Sequence, residues 1–437
     1  TIMKKNTLIL SLFILFVFIS CSETDNIEDN ENNLNECIGD VVLSSQSQIN
    51  EFENSDCNII NGNLIINDAH KSDTTGTIDI VDLSPLDLIE QIEGNLYIGY
   101  NPILPSLNGF ENLREINGSL SIELNENLEK INGFNDLENI GVSISIWANN
   151  SLEKVIGFNS LIRTAENGEA IFQSNFDISA NDQLIEINGF SNLEYVSSVF
   201  IQNDILEKII GLNNLVETES FYFNSPVIEM NAFNNLELVN GDFDFLSTKI
   251  SNMDNFSSLT NIDGDVWIEG NHQIINFEGL NKLTTIDGDF EIGRFSGNDS
   301  LVNLTGLENL DTVGGIIEIS FNDNLSSLSG LNGLTTSNNF DIKFNDNLSS
   351  LNGLNNLNSV NGNFKIHSNN ALTDISNLSN LQQVSEYLHI NWNSSLNNFC
   401  SLTTLVQNNG IGSNFFNVNE NQYNPTFSDM QNENCSM

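Results

Sequence analysis

The chain holds four histidines, His70, His272, His367 and His389. None belongs to an HExxH pair or to a Ser/His/Asp arrangement. His367 and His389 fall one repeat apart beside Lys365 and read as an exposed surface pair. No GxGxxG or GxxxxGK(S/T) loop is present to cradle a phosphate. Carboxylates are abundant, 59 Asp and Glu against 13 Lys and Arg. Glycoside hydrolysis needs an acid of raised pKa held in a cleft, and no carboxylate here is singled out by its sequence context. The enzymatic alternative is a β-solenoid polysaccharide lyase or hydrolase, which uses basic residues beside acid-bound calcium. The scarcity of Lys and Arg argues against it, and the chain is expected not to be an enzyme.

Chemistry of another kind recurs in register. A strand-like position is aromatic in several repeats, at Tyr97, Phe200, Tyr222 and Trp267. Two positions earlier, three successive repeats carry Asp242, Asp265 and Asp289, with Asp244, Glu269 and Glu291 beside them. Aligned exposed aromatics mark contact surfaces. Phe200, Tyr222, Trp267, Asp244 and Glu291 are therefore the expected ligand-binding face. Carboxylates stacked one strand apart repel by roughly 1 kcal/mol per pair in water, and hard divalent ions favour such oxygens. Asp242, Asp265 and Asp289 are thus a candidate weak calcium site. The competing reading is that each Asp after Gly serves its turn and is hydrated.

These side chains are positioned by a repeat. Ile116-Asn-Gly-Ser-Leu120-Ser-Ile122 returns as Ile262-Asp-Gly-Asp-Val266-Trp-Ile268 and as Val360-Asn-Gly-Asn-Phe364-Lys-Ile366. The leading apolar position recurs fifteen times from Leu64 to Phe416, mostly at steps of 22 to 24 residues. The longer steps mark insertions near Ala69–Gly76 and Arg163–Gly168. Within one unit Leu120 and Ile122 alternate with polar residues, the period of a half-buried strand. Leu128 with Ile131 and Leu137 with Ile140 supply two further short apolar pairs. Such a rung cannot bury its inner face alone, so rungs must stack at roughly 4.8 Å. Asn recurs at the next turn (Asn101, Asn125, Asn149, Asn181, Asn271, Asn322, Asn345, Asn369, Asn393), where stacked amides satisfy backbone groups. Gly-Phe or Gly-Leu follows at the next corner, as at Phe110, Phe134, Phe158 and Phe190, and reads as an internal stack. The expected organisation is an N-terminal cap over 37–61, repeats over 62–399 and a C-terminal cap over 400–437. Repeat arrays need such caps, and Cys37–Cys57 and Cys400–Cys435 are expected to staple them.

The first twenty residues read as an address. Lys4 and Lys5 precede an apolar run, Leu8 to Ile19, too short to span a bilayer of roughly 30 Å but right for a signal peptide over 1–20. Phe18-Ile19-Ser20-Cys21 resembles a bacterial lipobox, which makes Cys21 the lipidated residue and residues 21–36 an acidic tether. An acidic stretch after the lipidated Cys resembles the surface-export signal of Bacteroidetes-type lipoproteins. The expected location is the outer-membrane surface, with the membrane contacted through the lipid.

A net charge of −46 excludes nucleic acid as a partner, because a phosphate backbone is repelled. At 437 residues the chain exceeds a single compact core, which favours one elongated array, expected to be monomeric. Cys57-Asn-Ile-Ile-Asn-Gly62-Asn-Leu-Ile-Ile66, followed by Ile92-Glu-Gly-Asn-Leu-Tyr-Ile98, resembles the opening of the receptor L-domain family, a leucine-rich-repeat relative. The resemblance runs from about Cys37 to Cys435. It implies a right-handed parallel β-solenoid, and it implies binding without fixing a ligand. The function expected is a cell-surface binding or adhesion scaffold for a glycan or protein, without a cofactor beyond the candidate calcium. A passive structural spacer is the remaining alternative.

Overall fold

The computed structural model describes residues 35–67, 79–164 and 175–437. The signal peptide, Cys21, most of the tether, His70, the whole of the first insertion and part of the second lie outside the described residues. Among the described residues no helix is long and apolar enough to cross a membrane.

The described body is an all-β parallel solenoid of about fifteen turns. Its main sheet has sixteen strands, each hydrogen-bonded to the corresponding strand of the neighbouring turns. The unit read from the sequence appears as strands Leu120–Glu123, Lys130–Ile131 and Asn139–Ile140. The first joins the main sheet. The second joins a five-stranded sheet and the third a six-stranded sheet. All named strand pairs are parallel and in register, as in Leu120↔Ile144 and Ile144↔Phe176. Alternation explains the burial: Leu120 and Ile122 are fully buried, and Ser121 between them faces out.

Two stacks fill the corners. The Phe110, Phe134, Phe158 and Phe190 rings lie at successive spacings of 5.3, 5.1 and 4.8 Å, nearly parallel and buried. The Asn column is a continuous ladder over most of its length. Asn125 Oδ1 accepts the backbone N–H of Asn101 at 3.1 Å, and its Nδ2 donates to the Ile98 carbonyl at 3.0 Å. The pattern repeats to Asn421, and it includes Asn203 and Asn298, which the spacing left out. Ser225 and Thr248 replace the amide in two turns. At the corner of the phenylalanine stack Gly157, Gly189 and Gly211 lie in register. A Cβ on Gly211 would come within 1.8 Å of the Gly189 carbonyl oxygen, at a φ of +106°, so the turns approach too closely there for any side chain.

Cys37–Cys57 and Cys400–Cys435 are bridged, one near each end of the array. The N-terminal cap holds more regular structure than its sequence suggests. Val41–Leu43 pairs with Leu64–Ile66 as the first strand of the main sheet, one strand before the fifteen recurrences. Helix Gln46–Phe52 follows, started by the Ser45 side chain accepting from the Gln48 N–H, and it buries Ile49 in the core. At the other end, helix Phe427–Gln431 opens with a capping box between Thr426 and Asp429. It buries Met430 beside Leu405 and Val406. Arg163–Thr164, read as the start of an insertion, is instead a strand paired with Asn139–Ile140.

Candidate functional site

The outward position of the main sheet forms one column. The register runs Asp177↔Phe200↔Tyr222↔Asp244↔Trp267↔Glu291↔Glu318↔Asp341↔Lys365↔His389. The five residues expected to bind ligand are therefore consecutive neighbours. The Phe200 and Tyr222 rings stack at 4.7 Å and 10°. Asp244 lies between Tyr222 and Trp267, and its carboxyl is pushed up to about 6, first by burial and then by Asp242, Asp265 and Glu269. Trp267 Nε1 donates to Glu291. Burial raises the Glu291 pKa against the opposing effects of Arg294 and Trp267.

The sequence reading missed the corner beside Trp267. The step from Phe290 to Ile317 is longer than its neighbours, and the excess forms a projection at Arg294-Phe295-Ser296-Gly297. Arg294 lies 5.3 Å from the Trp267 ring centre and 4.9 Å from that of Phe295, and it pairs with Glu291 at 2.9 Å. Phe295 is 73% exposed, and its N–H is held by Glu269 at 2.9 Å. The long step was the available signal. The middle of the face thus combines aromatic rings, a cation over two of them, the half-buried carboxyl of Asp244 and the buried carboxyl of Glu291.

The candidate calcium stack resolves differently. Asp242 Oδ1 accepts the Asp265 N–H at 2.9 Å, Asp265 Oδ1 accepts the Asp289 N–H at 2.7 Å, and Asp289 Oδ1 accepts the Ile316 N–H at 2.7 Å. Asp40, Asn63, Asn95 and Asn339 do the same for their next turns. In these turns the position is a second Asx ladder, which caps the backbone before the main strand. Among the described residues no group of three or more His, Cys, Asp and Glu is arranged to hold a metal ion.

His367 and His389 are half-buried rather than freely exposed. His367 Nε2 lies 3.4 Å from Asp341, which also meets Lys343 at 3.4 Å, and Lys343 reaches Glu318 at 2.8 Å. Burial first, then Lys365 and His367, lowers the His389 pKa. Beside them, Phe321, Phe344 and Trp392 occupy left-handed backbone at φ of 60°, 54° and 56°, and they stay 41%, 40% and 56% exposed.

Residues 56–152 and 90–188 match the family model described as Receptor L domain. Together the matches cover under a third of the chain and support the family resemblance for those turns. No curated protein matches the chain.

Proposed function

We propose that this protein is a cell-surface lipoprotein whose solenoid binds an extracellular glycan or protein through the outer face of the main sheet, and that it is a scaffold rather than an enzyme. The observation that carries this reading is the unbroken column Phe200–Tyr222–Asp244–Trp267–Glu291 with Arg294 and Phe295 projecting beside it. Rigid parallel strands hold the rings, so little side-chain entropy is lost on contact. Aromatic and Arg side chains are the types that dominate binding energy at interfaces. The receptor L-domain match supports a ligand-binding scaffold.

The two disulfides fit an oxidising compartment, and a Lys-Lys segment, a short apolar run and Cys21 fit export and lipidation. The anchor places the body at the outer-membrane surface as a monomer, with the −46 charge keeping it apart from anionic lipid and from its own copies. No cofactor is needed for this role. Glycan and protein arrays probed with the wild type and with Trp267→Ala test the reading.

A further inference from the structure

The outer face of the main sheet is hollow between Trp147 and Phe200. Trp147 pairs in register with Ser179, and Ser179 with Gln202. Ser179 and Ala180 are small, so their turn is recessed between two turns that carry large side chains. The recess has a volume of about 380 Å³, and Trp147, Ser179, Ala180, Asp182, Phe200 and Gln202 line it. This volume lies within the range of small-ligand sites.

Two aromatic surfaces bound the hollow. Phe200 and Tyr222 are register neighbours with nearly parallel rings. The face of Phe200 toward Tyr222 is covered, and the other looks back along the stack toward Asp177, its register neighbour in the recessed turn. Trp147 stands two turns before Phe200, 41% exposed. Trp147 is in register with Gln202, two residues along the strand from Phe200, so two turns of about 4.8 Å and two residues of about 3.3 Å set the two positions roughly 12 Å apart, room for one saturated six-membered ring against either aromatic.

The polar rim narrows the ligand class. Asp182, Asp204 and Gln202 line the hollow, and among the described residues no Lys, Arg or His does. An apolar occupant would leave these groups dehydrated and unpaired. An anionic occupant would meet carboxylates with no compensating cation. A ring with an apolar face and a rim of hydroxyls satisfies both surfaces: its C–H face covers the aromatics, and its O–H groups donate to carboxylates in charge-assisted bonds.

We propose that the hollow between Trp147 and Phe200 is a subsite for one pyranose ring, neutral or amine-bearing, and closed to acidic sugars. The inference rests on the reading of the main sheet as a ligand face, and it selects glycan over protein there.

The chain has three tryptophans, Trp147, Trp267 and Trp392, so the indole N–H resonances of the ¹⁵N-labelled full chain report three separate places. Glucose, galactose, mannose, glucosamine and glucuronate are titrated to tens of millimolar, with the Trp147 signal assigned through Trp147→Phe. The expected result is a saturable shift of the Trp147 signal with at least one neutral or amino sugar, none with glucuronate, and no shift at Trp392. Ligand-observed saturation transfer should show binding at least tenfold weaker in Trp147→Ala, an exposed position whose loss leaves the melting curve unchanged. Trp267→Ala should retain it. An unmoved Trp147 signal across the panel overturns the subsite, as does glucuronate binding as well as glucose. If the sugars leave Trp147 unmoved while Trp267→Ala abolishes array binding, the subsite alone fails. If they move Trp147 while Trp267→Ala keeps all array binding, the subsite stands and the wider face reading fails.

Discussion

Replacing Asn345 by Ala removes one step of the amide ladder that joins the turns. Asn345 is fully buried. Its Oδ1 accepts the Asn322 backbone N–H at 3.1 Å, and its Nδ2 donates to the carbonyls of Ile319 at 2.9 Å and Lys343 at 3.0 Å. The Ala variant leaves the Asn322 N–H buried without an acceptor and takes a donor from Ile319. An orphaned buried polar group costs about 1–3 kcal/mol and a lost bond about 1 kcal/mol, so the variant should lose about 3 kcal/mol. Asn345→Ser should lose less, because Ser225 shows that a hydroxyl accepts the same N–H, at 2.9 Å. Exposed Asn370, bonded to Asp346 at 3.0 Å, supplies the control, and Asn370→Ala should stay within about 0.5 kcal/mol of wild type. Urea unfolding followed by tryptophan fluorescence gives the order of stabilities. Hydrogen exchange at the Asn322 amide localises the effect, which matters because repeat arrays do not always unfold in one step. Equal stability of the Asn345→Ala and Asn370→Ala variants would refute the ladder as a source of stability.

Four further outcomes are expected. Asp244 binds its proton more tightly when folded, so wild-type stability falls as pH rises from about 4 to the folded pKa of about 6. Asp244→Asn should therefore gain stability at pH 7 and not at pH 4. The shift is discounted for the partial exposure of the carboxyl to about 1 kcal/mol, and equal gains at both pH values in thermal melts would contradict it. Gly211→Ala should cost about 1–3 kcal/mol because its Cβ meets the Gly189 carbonyl, and an unchanged urea midpoint would count against the close approach. Calcium should give the same heat with wild type and Asp265→Asn, since one carboxylate oxygen holds the next turn's N–H; a saturable heat confined to wild type would restore a cation site. Cys21→Ala should release the protein from the membrane fraction or block its processing, and retention at the wild-type level would remove the lipid anchor.

Much of the fold was legible because a solenoid writes its geometry into one period. The alternation of Leu120 and Ile122, the Asn recurrence and the Gly-Phe corner each lie within one turn, and the structure places all three as read. The two cysteine pairs were legible from their positions at the ends. Val41–Leu43 escaped because a strand in a cap pairs with only one neighbour and carries no repeat signature. The chemical role of Asp242, Asp265 and Asp289 was not legible, since spacing shows that side chains stack but not which backbone N–H each one accepts. The column Phe200–Trp267 was visible because its members share a repeat position. The hollow at Trp147 was not, because it arises from small Ser179 and Ala180 between large residues of other turns. Arg294 and Phe295 lay in extra residues that a strict period discards.

Ligand binding by the outer face of the main sheet is open to direct measurement. Its most direct test is the comparison of wild type and Trp267→Ala on one glycan and protein array, both purified as the mature ectodomain and matched for melting temperature. Wild type should bind at least one glycan or protein saturably, Trp267→Ala should lose at least tenfold, and Phe295→Ala should fall between them. Wild-type binding that survives unchanged in Trp267→Ala would contradict binding by this face.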